Sequence, residues 1–151
     1  HLALGGLPKF EGYDKPMRAV RLPGIRAVYR PKRPTDGDKF LHLFGKPQRL
    51  TNSDTERADD TSLAQVFELT SGATLNGLLI DPKNGLAGLL KNAGSDDELV
   101  RDLYWTILTR EPNAVERTAA ASHLTKTDNR RAATEDLAWA LLNAKEFLLR
   151  K

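Results

Sequence analysis

Apolar residues recur at three- and four-residue intervals through much of the chain after residue 59, and nowhere for long before it. The clearest run is Leu99, Val100, Leu103, Tyr104, Ile107 and Leu108, which shares one face of a helix. Ser95-Asp96-Asp97-Glu98 precedes it as a capping box, with Ser95 at the N-cap, Glu98 three residues on and acids at the positive end of the dipole. Leu63, Val66, Phe67 and Thr70 predict an earlier helix, capped by Asp60 or Thr61 and broken at Gly72. A turn or two over 74–79 follows, then a helix over 85–91 capped by Asn84 and closed by Gly94. Pro112 opens the next helix, capped near Glu111 or Asn113, with a thin apolar face of Val115, Ala119 and Leu124. Asp128 or Thr134 starts the last, which carries Leu137, Ala138, Leu141, Leu142, Phe147 and Leu148. Its end bears Lys145, Arg150 and Lys151, which suit the dipole. The short links predict a mainly α fold, a compact bundle of about four to six short helices.

Residues 1–50 read differently. Pro8, Pro16, Pro23, Pro31, Pro34 and Pro47 forbid long helices, because each removes a donor and biases its predecessor toward extended backbone. Two β-like patches, Arg18–Leu22 and Ile25–Tyr29, alternate apolar and basic residues on either side of Pro23-Gly24. They predict either a small β-hairpin or an extended Pro-rich arm laid across the helical body. Phe40-Leu41-His42-Leu43-Phe44 is a short apolar run stopped by Gly45 and Pro47.

Charge sharpens this division. The net +3 is the difference between a basic residue 1–50 segment, at +7, and an acidic 51–151 segment, at −4. The expected organisation is therefore a basic arm over 1–50 and a helical domain over 51–151. The 151 residues suffice for one domain with a real core, and 40% apolar with 28% charged residues is a globular composition. No apolar run approaches the roughly 20 residues that span a bilayer, so a soluble piece is expected. His1, with no initiator Met or signal peptide before it, suggests a fragment or processed form of a longer protein. Without cysteine there are no disulfides, thiolate metal sites or Cys nucleophiles.

The candidate chemistry is sparse. His1, His42 and His123 show no metal-ligand spacing; His42 reads as a satisfied, half-buried side chain and His123 as a surface residue. Asp81-Pro-Lys-Asn-Gly85 lacks the alternating acids and closing Glu of a calcium loop and reads as a turn before a helix cap. No phosphate-binding glycine loop or serine elbow appears, and no metal or cofactor is implied. Glu56, Arg57, Asp59 and Asp60 form the densest polar motif. Paired carboxylates there suit acid–base chemistry, but the preferred reading is structural: acids at a helix start, with Glu56 and Arg57 orienting the incoming chain. Arg18, Arg21, Arg26, Arg30, Lys32 and Arg33, interleaved with Tyr13 and Tyr29, make a weak footprint for nucleic acid or an acidic polymer. The preferred alternative is a solvated strap that neutralises the acidic body.

From Phe40 onward the chain resembles the C-terminal domain of large secreted planctomycete proteins, many of which also carry a planctomycete-type cytochrome c domain. The resemblance rests on FLHLFGKPQRL, TERADDTSLAQVFELTSGATLNGLL, NGLAGLLKNAGSDDELVRDLYWTILTREPNAVE and RRAATEDLAWALLNAKEFLLRK, in that order. Relatives read Cys-Glu-Cys-Glu-Arg where this chain has Ser53 and Thr55 at the two cysteine positions and keeps Glu56-Arg57. A redox or metal role for such cysteines cannot operate here, and no haem attachment motif is present. LYWTILTREP and the closing NAKEF are also similar to helical repeat units of bacterial surface proteins, where they serve packing or linking. Trp105 and Trp139 are then core residues or partner-facing anchors, with at least one expected in the core.

These resemblances imply a non-catalytic assembly or binding domain of a larger multidomain bacterial protein, secreted, periplasmic or on the cell surface. Its partner would be the rest of the parent polypeptide or another protein. The alternatives are part of an enzyme acting on a sulfated or uronic polysaccharide, with Glu56, Asp59 or Asp60 in the site, and, less favoured, a nucleic-acid-binding module.

Overall fold

A computed structural model describes residues 1–22, 33–44 and 63–148. Their regular structure is helical: α1 Asp36–Leu43, α2 Leu63–Ser71, α3 Ala73–Ile80, α4 Gly85–Asn92, α5 Asp96–Leu108, α6 Ala114–Lys126, α7 Arg130–Leu142 and α8 Lys145–Leu148, with 3-10 turns at Leu2–Leu4 and Ala19–Arg21. The mainly α class expected from apolar spacing is what the described residues adopt. Seven of these helices lie within 63–148, more than the four to six expected. The last stripe splits in two, α7 ending at Leu142 with Asn143 as its C-cap and α8 beginning at Lys145.

The chain forms two units, one of residues 7–75 with His1, the other of residues 2–6 and 76–151. Composition changes near residue 50, whereas the units divide inside α3. We call them the N-terminal and the helical unit.

The N-terminal unit is organised by one carboxylate. Asp38, 4% exposed, accepts the N–H of Thr35 (3.1 Å) and that of Glu11 (2.9 Å) through the same oxygen. The Asp38 N–H donates to the Thr35 hydroxyl, which completes a capping box, and that hydroxyl donates to the Lys9 carbonyl at 2.6 Å. A buried carboxylate is tolerated because N–H groups take up its charge. Between these residues lies Gly37, where a Cβ would stand 2.6 Å from the Lys9 oxygen, so only glycine lets the 8–11 segment and the buried Phe10 ring close on α1.

Several expectations for residues 1–50 are corrected here. The stretch is not extended throughout, since α1 occupies Asp36–Leu43 and takes in the apolar run, with Phe40 and Phe44 stacked at 4.3 Å one turn apart. The first turn, Asp36 to Lys39, carries no large apolar residue, so no helical period shows there; the cap stabilises the helix. Arg18–Leu22 is not a strand: Arg21 N–H donates to Arg18 and Leu22 N–H to Ala19, so the 3-10 turn satisfies itself without a neighbouring chain. The other patch, Ile25–Tyr29, and the Pro23-Gly24 turn lie outside the described residues. His42 is exposed in the last turn of α1 rather than half-buried, and the Leu63, Val66 and Phe67 stripe of α2 is exposed too.

In the helical unit α5 is the hub, packed by α4, α6, α7 and α8. All six residues of its expected apolar face are buried. Ser95 caps it by accepting the Glu98 N–H, but Glu98 reaches past Ser95 to the Gly94 N–H at 2.8 Å, so the box is shifted by one residue. Asn84 and Asn113 cap α4 and α6 as expected; α7 starts from Asn129, not Asp128 or Thr134. The Leu2–Leu4 turn packs on α4 through Gly5, at φ 76°, where a Cβ would lie 3.1 Å from the Gly85 backbone. That close approach seats Leu4 in the core.

Candidate functional site

Two features of the helical unit stand out, a charged hub and an apolar groove. The hub begins where α5 ends. Thr109 closes the helix in the left-handed region, φ 56°, which a β-branched residue seldom adopts. The reversal carries Arg110 back over α5, its guanidinium 5.4 Å from the centre of the Tyr104 ring.

Arg110 then uses its planar fork in full. Nε and Nη2 donate to the two oxygens of Glu146 at 2.8 and 2.7 Å, Nη1 and Nη2 to the two of Glu116 at 2.8 and 2.7 Å, and Nη1 also to the Glu111 carbonyl at 2.9 Å. One side chain thus binds the start of α6 and the start of α8 with paired parallel bonds. Glu116 is at once the Arg110 partner and the N3 residue of the α6 capping box, accepting the Asn113 N–H at 2.8 Å. The bond from Arg110 and that N–H hold its carboxyl at about 2, well below an ordinary 4.5. The same carboxylates raise Arg110, while burial and then the Glu116 charge raise the Tyr104 hydroxyl. Both carboxylates are bonded by the one guanidinium, so the cluster is suited to fastening helices together rather than to moving protons.

The groove, about 300 Å³, opens beside this hub. Val100, Leu103 and Tyr104 of α5 form its floor, while Val115, Ala119 and Ala120 of α6 face Leu137, Ala140 and Leu141 of α7. Residues from the start of α6 meet residues from the end of α7, as in an antiparallel pair joined by the short 127–129 link. The cause of the groove is local: three alanines stand where larger side chains would fill the space. The thin apolar face read for α6 is one wall of it. Val115, 79% exposed, stands at the rim, and Glu116 is the ionic group in the lining.

Other candidates fall as follows. Glu56, Arg57, Asp59 and Asp60, like Arg26, Arg30 and Lys32, lie outside the described residues. Arg18, Arg21 and Arg33 are exposed, and none makes a side-chain hydrogen bond or ion pair among the described residues. Trp105 and Trp139 are 50% and 38% exposed, against the expectation that one would be buried. Trp105 donates its indole N–H to Glu111 at 2.9 Å, which places its polar edge at the surface. His123, expected at the surface, is half-buried with Nε2 3.5 Å from Asp136. Among the described residues no three His, Asp or Glu side chains gather as a metal site would require, and no helix is long and apolar enough to cross a membrane.

The sequence reading did not single out Arg110, Glu116 or Glu146. The signal was present: Arg110 lies in the TREP stretch and Glu146 in NAKEF. The structure joins the two motifs by an ion pair across 36 positions. No known protein-family profile, curated protein or solved structure matches this chain.

Proposed function

We propose that this chain is a non-catalytic assembly domain of a larger secreted or surface-associated bacterial protein, and that its helical unit receives an apolar helix from the rest of the parent polypeptide. The observation that carries this reading is the α5–α6–α7 groove. Its alanine walls let another backbone approach closely, and helices that dock in grooves present apolar anchors at i, i+3 and i+4. Glu116, the ionic lining residue, is already bonded to Arg110, so nothing in the lining asks for a charged ligand. The hub keeps the groove walls fixed, which lowers the ordering cost of docking.

Hydrogen exchange tests this directly. Residues 115–120 and 137–141 should exchange at least about tenfold more slowly in the intact parent polypeptide than in this chain alone. Ala140→Glu, which places a charge in the groove, should abolish that difference. Equal exchange in both settings would remove the assembly role from the groove.

A further inference from the structure

Independently of the groove, we propose that the face of the N-terminal unit bearing Lys9, Arg18, Arg21 and Arg33 binds a linear anionic polysaccharide, sulfated or uronic, through charge-assisted hydrogen bonds. These four residues come from three stretches that the fold draws together around the 8–11 segment. The Met17 N–H donates to the Pro8 carbonyl at 3.0 Å, which brings Arg18 alongside Lys9. On the other flank, the Arg33 N–H donates to the Glu11 carboxylate at 3.0 Å and the Thr35 hydroxyl to the Lys9 carbonyl. Arg18 and Arg21 bracket the 3-10 turn, where residues three apart eclipse at a rise of about 6 Å.

Charge at this face is left open. All four cations are exposed, and Lys15 is exposed in the same loop. The carboxylates around them are largely engaged: Asp38 by two backbone N–H groups, Glu11 by the Arg33 N–H, Asp36 by Lys39. Asp14 is the exposed acid that remains in the loop. A strap that neutralises acids should show its arginines paired, and these are not paired with any described carboxylate. Free guanidinium forks match the planar carboxylates and the sulfate oxygens of an acidic glycan.

A glycan fits better than single-stranded nucleic acid because the nearby rings are turned inward. Phe10 is buried, and Tyr13 is half-buried with its hydroxyl turned inward, so neither presents a fully open ring to a base.

The test is titration of the whole chain with dextran sulfate across a range of salt concentrations, with neutral dextran and a short DNA duplex alongside. Dextran sulfate should bind, weaken with salt, and exceed both controls. Arg18→Ala with Arg33→Ala should weaken it about tenfold, and Arg18→Gln with Arg33→Gln, which keeps the stems, should do the same. The charge-matched control, Arg101→Ala with Arg130→Ala, should stay within about twofold because those cations are already paired. Equal losses in the two pairs would reduce the effect to net charge. Equal affinity for the duplex, or no binding to dextran sulfate, would overturn the assignment.

Discussion

The two units treat their arginines in opposite ways. In the helical unit Arg101, Arg110, Arg117, Arg130 and Arg131 each bond at least one carboxylate; the pairs of Arg110, Arg117 and Arg130 link different helices, while those of Arg101 and Arg131 lie within α5 and α7. In the N-terminal unit Arg18, Arg21 and Arg33 bond none among the described residues, while the buried carboxylate Asp38 accepts two backbone N–H groups. The lesson concerns where charge is used. A cation that closes a helical packing cannot also receive a ligand, and a cation left in water contributes little to stability but remains free to bind.

The comparison can be broken most sharply at its two anchors. Asp38→Ala should cost about 2–3 kcal/mol, since two N–H groups lose their acceptor together with the α1 cap. The check is amide exchange at Glu11 and Thr35, which should accelerate first. Arg110→Ala should cost about 2 kcal/mol in the helical unit, less than a fully buried pair because its side chain is 35% exposed. Denaturant titration would report that loss, and α8 should become the first helix to exchange.

Acid sharpens the contrast. Glu116 has its folded pKa depressed to about 2, so its contribution is present above the ordinary value near 4.5 and is lost as pH falls through the folded value. Glu116→Gln should therefore destabilise by about 1 kcal/mol at neutral pH and flatten the fall in melting temperature between about pH 5 and 2. The mutant and the natural chain should converge at the acid end. A parallel fall in both across that window would mean that Glu116 is not the titrating group. Smallest of all, Arg18→Ala with Arg21→Ala should leave the thermal midpoint unchanged, whereas Arg117→Ala with Arg130→Ala should cost about 1 kcal/mol or less and lower the midpoint accordingly. Equal shifts would erase the distinction between the units.

Much of the helical unit is legible in the chain. The α5 face and the Asn84 and Asn113 caps follow from spacing and local hydrogen-bonding chemistry, which act within a few residues, as does the break at Gly72 in the N-terminal unit. The Asn129 cap of α7 was misplaced because Asp128 and Thr134 offer the same side-chain chemistry, and only backbone geometry selects among them. Helix α1 was missed because its first turn, Asp36-Gly37-Asp38-Lys39, carries no large apolar residue and reads as a turn after Pro34. Arg110 and Glu146 were quoted within motifs but not joined, since nothing in a one-dimensional spacing of 36 residues says that two charges meet.

By itself, then, the sequence determined the mainly α class, the caps of α4, α5 and α6 and the polarity of its two segments, because periodicity and capping are local. Only the tertiary structure decided that three alanines leave a groove, that one arginine clasps two helix starts, and that Lys9, Arg18 and Arg33 surround a single segment. Each of these depends on which distant residues are packed against one another, and packing is a property of the folded chain as a whole.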